Sequence, residues 1–269
     1  MLYRDRILVA VEGSANCRIA LNRASLIAVN TGKLVELIWF GSKPAWQSLK
    51  DEIAELESRC EVLKSVCSGD LLKDVKQNWA RERFGLFVKG CDTRHDNTTL
   101  SVPTDWKLLR ETPSPVLLVK GNTQWEGGVV LAAINPMSKE ASGQLHDLNV
   151  LKLSESIVRE TNARLHAVVA TPPPMLSAEP EAQVPKLILE RARNETIQEL
   201  KECGVEVDQL HIGEGPVEYW IAQVAQEQNA SLVVISTRAR GGMKGVLLGN
   251  TAEYVLDQLH TDVLVLRPE

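Results

Sequence analysis

The sequence predicts an α/β protein built from two tandem doubly wound domains, each a five-stranded parallel sheet with helices on both faces. Short runs of Val, Ile and Leu alternate along the chain with longer stretches whose apolar residues recur at helical spacing. Strands that alternate with helices in this way form parallel sheets covered on both faces. The alternation begins a second time after residue 128. We therefore predict domains at 1–121 and 129–269, joined by a polar, glycine-rich linker at 122–128.

The first half begins with a buried strand over residues 7–11, closed by Glu12-Gly13-Ser14, which indicates a turn and a helix N-cap. A helix follows with apolar residues from Cys17 to Ala28, and Gly32 suits the position just after its end. The further elements predicted for this half are strands at 33–40, 61–66, 84–89 and 116–120 and helices around 46–56, 71–79 and 105–110.

The second half repeats this order of strands and helices. Three prolines at 172–174 exclude both a helix and hydrogen-bonded pairing in a sheet, and they predict an extended loop. Pro216 fits the first position of a helix with an apolar stripe. The elements predicted for this half are strands at 129–135, 165–170, 205–211, 232–235 and 263–266 and helices at 148–158, 181–203 and 217–225.

The two halves align as copies of one domain. Leu131 minus Leu8 gives an offset of 123 residues, and Val263 minus Val116 gives an offset of 147. The difference of 24 residues falls between the first and fourth strands, where the second half has its proline-rich loop and a longer helix. Positions in the two halves can therefore be compared residue by residue.

Composition limits the partners and the compartment. Thirty basic and 35 acidic side chains give a formal net charge of −5, which argues against a surface for nucleic acid or anionic membranes. No apolar run approaches the roughly 20 residues of a membrane span, and the charged start of the chain lacks the apolar core of a signal peptide. We expect a cytoplasmic protein. Five cysteines without a Cys-x-x-Cys pair indicate free thiols, and the histidines show no metal-ligand spacing.

One stretch carries a signal for anion binding. The strand at 232–235 is followed by small residues and cations: Ser236-Thr-Arg-Ala-Arg-Gly-Gly-Met-Lys-Gly-Val-Leu-Leu-Gly-Asn-Thr251. Small residues after a buried strand, with Gly249-Asn250-Thr251 opening a helix, are what a phosphate site on backbone N–H groups requires. The alternative interpretation is a solvated loop in which glycine only supplies positive φ angles.

The same stretch resembles the universal stress protein family. Nucleotide-binding members of that family carry Gly-x2-Gly-x9-Gly-[Ser/Thr] after the fourth strand. Ser236, Ala239, Gly249 and Asn250 fall at the four motif positions, so the spacing is kept while two glycines and the hydroxyl are replaced. The tandem arrangement, with Thr104-Asp-Trp-Lys-Leu-Leu-Arg110 in one half and Leu248-Gly-Asn-Thr-Ala-Glu253 in the other, resembles the E-type bacterial members.

The resemblance implies a ligand for the second domain. That ligand is ATP, with magnesium, or another phosphate-bearing metabolite. The resemblance also implies that the two domains pair as a pseudo-dimer through their last strands, at 116–120 and 263–267, and that two chains can form a homodimer. The ligand-binding residues implied for the second domain are Asn135, Ser236, Arg238, Ala239, Arg240, Gly249, Asn250 and Thr251.

The first domain departs further from the family pattern. Family members hold ATP with an acidic residue after the first strand, which Glu12 matches in charge and Asn135 does not. At the four motif positions the first half has Lys89, Asp92, Val102 and Pro103. Pro103 has no N–H to donate, and Asp92 repels a phosphate. The first domain is therefore expected not to hold a triphosphate.

The predicted function is a non-catalytic role in the stress response, with no catalytic or metal-binding residue assigned. An adenylate hydrolase or transferase on a related fold is one alternative, but neither Glu12-Gly13-Ser14 nor Asn135-Pro136-Met137 supplies its Ser-Gly-Gly-x-Asp loop. The chain also lacks the Gly-x4-Gly-Lys-[Ser/Thr] and Gly-x-Ser-x-Gly motifs. A module for protein interaction or apolar-ligand binding, with both nucleotide sites lost, is the other alternative.

Overall fold

The computed structural model describes residues 6–12, 14–40, 47–91, 104–121, 123–138, 141–174, 183–237 and 258–267. This part of the chain contains strands and helices in alternation, which confirms the predicted α/β class. The strands are β1 (Arg6–Val11), β2 (Leu34–Trp39), β3 (Val62–Val66), β4 (Leu86–Gly90), β5 (Val116–Val119), β6 (Val129–Ala133), β7 (Arg164–Thr171), β8 (Gln209–Glu214), β9 (Leu232–Ser236) and β10 (Asp262–Leu266). The helices are α1 (Ala15–Thr31), α2 (Lys50–Arg59), α3 (Leu71–Arg81), α4 (Thr104–Glu111), α5 (Ala141–Thr161), α6 (Pro185–Cys203) and α7 (Val217–Glu227).

The described residues fall into two compact units, the first with β1 to β5 and β10, the second with β6 to β9. In the first unit the strand order is β3-β2-β1-β4-β5, and all of these neighbours are parallel. β10 then pairs with β5 in the antiparallel direction, with Leu264 opposite Leu117. This ladder joins the last strands of the two sequence halves. Pairing of two whole domains as a pseudo-dimer stays a prediction.

The second unit has the strand order β9-β6-β7-β8, again with parallel neighbours. Its first strand, β6, thus lies between β7 and β9, as β1 lies between β2 and β4 in the first unit. In both units the order of strands reverses beside the first strand of the half. This reversal is the topological switch point at which doubly wound sheets bind ligands, outside the carboxyl ends of the strands.

The predicted strand at 205–211 is wrong in its position. β8 instead runs from Gln209 to Glu214, because its ladder with β7 extends as far as the pair Thr171 and Glu214. Val205 belongs to the end of α6: its N–H donates to the carbonyl of Leu200 at 3.0 Å, and Gly204 adopts a φ of 60°. The apolar residue just after this helix therefore takes part in the C-cap and does not pair with β7.

The predicted boundaries of α1 are confirmed. The Ser14 side chain accepts a hydrogen bond from the N–H of Cys17 at 3.1 Å, which satisfies one of the free donors at the helix start. At the other end Gly32 takes a φ of 67°, a left-handed conformation that glycine adopts without a steric penalty. The buried face of α1 includes small residues such as Ala20 and Ala24, which allow a close approach to the sheet.

The predicted linker at 122–128 is packed against the second unit over residues 123–128. Trp125 is 2% exposed, and the N–H of Gly127 donates to the carbonyl of Thr161 at 3.0 Å. A Cβ at Gly128 would lie 2.5 Å from Oγ of Ser231, so only glycine fits there. These residues are therefore part of the second unit's fold.

The central strands of both units form the apolar core. Residues of β1, β4, β6 and β9 such as Leu8, Val88, Leu131 and Val233 are fully buried. Cys60, Cys67 and Cys203 carry free thiols, as predicted. Among the described helices, none has both the length and the apolar character needed to cross a membrane.

Candidate functional site

The switch point of the first unit lies between β1 and β4, where Ala10 is opposite Lys89. Glu12 follows β1 directly, and Lys89 lies next to the last residue of β4. The carboxyl ends of these two strands open onto the crevice in which doubly wound proteins bind ligands. The side chains of Glu12 and Lys89 therefore decide what this crevice can hold.

An ion pair occupies the crevice of the first unit. Nζ of Lys89 lies 3.2 Å from Oε1 of Glu12 and also donates to the carbonyl of Gly90 at 2.8 Å. The Lys89 side chain is 6% exposed and that of Glu12 is 20% exposed. Ser14 donates its hydroxyl to the same Glu12 oxygen at 3.3 Å. A phosphate entering here would meet a carboxylate whose lysine partner is already engaged.

The first turn of α1 lies directly against the end of β4, beside the same crevice. A Cβ at Gly90 would lie 2.6 Å from the backbone carbon of Asn16 and 2.6 Å from the backbone nitrogen of Cys17. The Asn16 side chain donates to the carbonyl of Cys91 at 2.5 Å. The absence of a side chain at Gly90 thus allows the helix to lie against the strand end.

The crevice of the second unit lies between β6 and β9 and has different chemistry. At the repeat offsets Asn135 replaces Glu12, Ser236 replaces Lys89, and Thr237 replaces Gly90. The ladder pairs Ala132 with Val234, so Asn135 and Ser236 both follow the paired residues at the carboxyl ends of adjacent strands. Oγ of Ser236 is buried and has no hydrogen-bond partner among the described residues.

Asp147 of α5 fixes the loop that follows β6. Its Oδ2 accepts the backbone N–H of Asn135 at 2.9 Å, and its side chain is almost fully buried. Asn135 itself is exposed at the strand end. The sequence offered no specific signal for Asp147, because an acid within a helical pattern is usually assigned to the solvated face.

The structure places two of the eight predicted ligand residues at this crevice, Asn135 and Ser236. The other six predicted residues lie outside the described residues, namely Arg238, Ala239, Arg240, Gly249, Asn250 and Thr251. In the first half Lys89 is described, whereas Asp92, Val102 and Pro103 also lie outside that part. Their predicted roles stay predictions.

A cleft of about 860 Å³ adjoins the loop after Asn135, between α5 and α6. Residues 136–138 form one end of it, and Leu145 and Leu148 of α5 form an apolar wall. The opposite wall carries carboxylates of α6, at Glu195, Glu199 and Glu202. Sequence reasoning did not single out this wall, although three acids spaced by four and three residues lie on one face of a helix.

Glu199 is the unusual acid of this cleft. Burial, together with the charges of Asp147 and Glu202, raises the pKa of Glu199 to about 7. One of its oxygens, Oε2, is buried and has no hydrogen-bond partner among the described residues. A carboxyl group with a pKa near 7 can hold or release a proton at neutral pH. Within the described part of the chain, no group of three or more His, Cys, Asp and Glu side chains could hold a metal ion.

The sheet and its switch points define a doubly wound α/β protein, and sequence relatives narrow this class further. Residues 142–267 match the profile of the universal stress protein family. Universal stress protein E of Escherichia coli strain K12 is 32% identical over 185 residues, covering 65% of this chain and 58% of that protein. A universal stress protein E homologue of Haemophilus influenzae is 28% identical over 224 residues, covering 80% of this chain and 71% of that protein. The chain thus spans 58% of the length of the E. coli relative.

Solved structures agree with these sequence matches. A Pseudomonas aeruginosa PAO1 protein of unknown function superposes with a TM-score of 0.82 at 32% identity, covering 99% of this chain and 94% of that one. A P. aeruginosa UCBPP-PA14 protein that is provisionally named a universal stress protein gives a TM-score of 0.81 at 32% identity, with the same two coverages. A universal stress protein of Archaeoglobus fulgidus DSM 4304 shares the fold at 17% identity, with a TM-score of 0.66 and coverages of 99% and 100%.

The chain belongs to the universal stress protein family, and its sequence is similar to E-type members of that family. Membership supports a role in the stress response.

Proposed function

We propose that this protein acts in the stress response without catalysis, by binding ATP with magnesium, or another phosphate-bearing metabolite, in the crevice between β6 and β9. The difference between the two crevices is the observation that carries this proposal. In the first unit the ion pair of Glu12 and Lys89 lies at the crevice. In the second unit the corresponding residues, Asn135 and Ser236, are neutral.

Electrostatics favours the second crevice for an anion. No carboxylate stands at position 135, so a phosphate that approaches this strand end avoids the repulsion it would meet at Glu12. The buried hydroxyl of Ser236, which has no partner among the described residues, can donate to a ligand oxygen. A buried polar group that lacks a partner costs about 1–3 kcal/mol, and a ligand oxygen would remove that cost.

Sterics favours the same crevice. The close contact between α1 and β4 in the first unit requires the missing side chain of Gly90. Thr237, which is 3% exposed, stands at the corresponding position of the second unit. Its Cβ excludes an equally close approach of a helix to the strand end. We infer that the second crevice keeps room for a ligand that the first crevice has lost.

The sequence that follows β9 supports the proposal from a second direction. The run from Ser236 to Thr251 keeps the spacing of the family's phosphate-binding motif. Its backbone N–H groups, with the guanidinium groups of Arg238 and Arg240, are of the kind that binds phosphate. Residues 238–251 lie outside the described part of the chain, so the sequence alone supports their contribution.

A grafted ion pair tests the proposal. In the double variant Asn135→Glu/Ser236→Lys, the second crevice receives the pair found in the first, and calorimetric titration with ATP and magnesium is expected to show at least a tenfold loss of affinity. A tenfold loss of affinity corresponds to about 1.4 kcal/mol of binding free energy. The matched control is Glu12→Asn/Lys89→Ser, which changes the first crevice in the opposite direction and should leave the affinity of the second unchanged. Binding of equal strength in wild type and graft would contradict the proposal.

The non-catalytic part of the proposal is tested separately. ATP turnover is measured with wild type at saturating ATP and magnesium, and we expect no phosphate release above the background of buffer alone. Turnover that the grafted ion pair abolishes would favour the adenylate hydrolase or transferase alternative. No binding at millimolar ATP would favour the interaction module.

A further inference from the structure

Two histidines on adjacent strands of the second unit form a close pair. Nδ1 of His166 on β7 lies 3.2 Å from Nε2 of His211 on β8, and the ring centroids are 5.2 Å apart. His166 is 1% exposed. A hydrogen bond at this contact requires one nitrogen with a proton and one without. The contact therefore depends on at least one neutral ring.

Helix α7 packs on the face of β7 and β8 that carries this pair. His211 and Gly213 lie two residues apart on β8 and so face the same side of the sheet. A Cβ at Gly213 would lie 2.5 Å from the ring of Trp220 in α7, which identifies that side as the one α7 packs against. The β7–β8 ladder pairs His166 with Gln209, which places His166 on the same side. The pair thus lies between two strands and a helix.

The charges around the pair do not compensate a buried cation fully. The charged groups that act on it are Arg164 at the start of β7, Asp208 just before β8, and Glu227 at the end of α7. Burial lowers the pKa of both rings. The charges of His211 and Arg164 lower the pKa of His166 further, whereas the charge of Asp208 raises it. The charge of Glu227 raises the pKa of His211. Helix α6 also packs on β7 and β8, and its buried residues carry no charge: Ala192, Thr196 and Leu200.

We propose that His166 and His211 form an acid-sensitive latch that holds α7 against β7 and β8 at neutral pH and releases it when both rings take up protons. One proton per pair is compatible with the N–H···N contact. A second proton places two cations 3.2 Å apart under the helix, and no carboxylate contacts either ring among the described residues. His166 has a further nitrogen, Nε2, that is buried without a partner in the described part of the chain. Protonation there adds an unsatisfied donor.

The latch has a defined pH window. The folded state disfavours the charged rings, so the unfolded or opened state binds more protons once the pH falls below the ordinary histidine pKa of about 6.5. The opening equilibrium then grows up to about tenfold per pH unit for each extra proton. Above that pH the latch is closed and insensitive to pH. The apolar stripe of α7, with Ile221, Val224 and Ala225, is the surface that opening would expose.

Hydrogen exchange measures this opening directly. Exchange of α7 peptides is compared at pH 7.5 and pH 5.5, after correction for the intrinsic pH dependence of amide exchange, with α3 of the first unit as the internal reference. We expect the protection of α7 to fall at least tenfold in wild type and that of α3 to stay constant. The variant His166→Asn/His211→Gln keeps amide groups near the two contacting nitrogens and cannot titrate, so its α7 should show no such fall. His260→Gln, at an exposed histidine, is the matched control and should behave as wild type.

Equal loss of α7 protection in the double variant and in wild type would overturn the proposal, as would constant protection in wild type. A second measurement on the unmodified chain guards against a variant that fails to fold. The ring C–H resonances of His166 and His211 are titrated by NMR, and both should titrate below pH 6.5, whereas titration of both at or above that value would also overturn it.

Discussion

Arg23 in the first helix and Asp262 in the last strand form a salt bridge within the first unit, although they lie 239 residues apart in the sequence. Nε of Arg23 donates to Oδ2 of Asp262 at 2.9 Å. The other carboxylate oxygen accepts the backbone N–H groups of Lys120 and Gly121 at 3.0 and 3.2 Å. Asp262 is 1% exposed. A single carboxylate thus fixes β10 to the end of β5 and to α1.

We predict that Asp262→Asn destabilises the protein by about 3 kcal/mol. Removal of one charge from a buried pair leaves the other charge uncompensated, which costs about 3–5 kcal/mol, and the amide retains part of the hydrogen bonding. Urea unfolding measures the change in the free energy of unfolding. Glu55→Gln is the control, because it breaks an exposed pair with Arg59 in the same unit, and exposed pairs contribute little. Equal effects of the two substitutions would contradict this account of β10.

Gly90→Ala is expected to destabilise the first unit by about 1–3 kcal/mol, the usual cost of overpacking. The added Cβ would lie 2.6 Å from backbone atoms of Asn16 and Cys17, which cannot move aside as a flexible side chain can. Thermal unfolding measures the loss. The contrasting position is Gly32, which has no atom within 4 Å of its added Cβ, so alanine there is opposed only by the backbone φ of 67°. A Gly90→Ala variant as stable as wild type would contradict the close packing of α1 on β4.

Glu199→Gln is expected to stabilise the protein at alkaline pH and to have no effect at acidic pH. The pKa of Glu199 is raised from 4.5 to about 7, so its contribution is fully present below pH 4.5 and is lost as the pH rises through 7. Glutamine imitates the protonated acid at every pH. Since the side chain is only partly buried, solvent screening reduces the gain at pH 8 to roughly 1–2 kcal/mol.

The measurement is the free energy of unfolding of wild type and Glu199→Gln at pH 4, 6 and 8. Glu190→Gln serves as the control on the same helix, because the Glu190 side chain is 57% exposed. Curves for wild type and Glu199→Gln that stay parallel from pH 4 to pH 8 would refute the raised pKa.

Local sequence signals were sufficient for most of the fold. The N-cap at Ser14 and the glycine at 32 follow from backbone hydrogen bonding and φ preferences, which act within a few residues. The strand at 205–211 was misplaced because an apolar residue after a helix can close its C-cap or enter a ladder, and only the partner strand decides. The buried Trp125 was missed for a related reason, since its neighbours are polar and glycine-rich.

The candidate site was less accessible to sequence reasoning. Lys89 lies within an apolar strand and is 77 residues from Glu12 in the sequence. No local sequence pattern therefore indicates the ion pair. The repeat offset places Lys89 opposite Ser236, and this comparison indicates a divergence between the halves without giving its geometry. Sequence spacing alone also does not reveal packing between elements. Such packing produces the contact of α1 with Gly90 and the hydrogen bond from the Asn135 N–H to Asp147.

Gly249→Val is expected to lower the affinity of the second unit for ATP at least tenfold, about 1.4 kcal/mol. The substitution copies Val102, which stands at this motif position in the first half, and a branched side chain would crowd a phosphate on the helix N-terminus that the sequence predicts at Gly249. Calorimetric titration with ATP and magnesium measures the affinity, and thermal unfolding checks that the variant is folded. A variant that binds as tightly as wild type would place the ligand elsewhere.

The number of ATP molecules bound per chain tests the central claim most directly. Equilibrium dialysis with saturating ATP and magnesium gives this number for wild type and for the Asn135→Glu/Ser236→Lys graft. The account predicts one ATP per wild-type chain, because only the second crevice lacks the ion pair, and none per grafted chain. Two ATP molecules per wild-type chain, none, or one that survives the graft would contradict it.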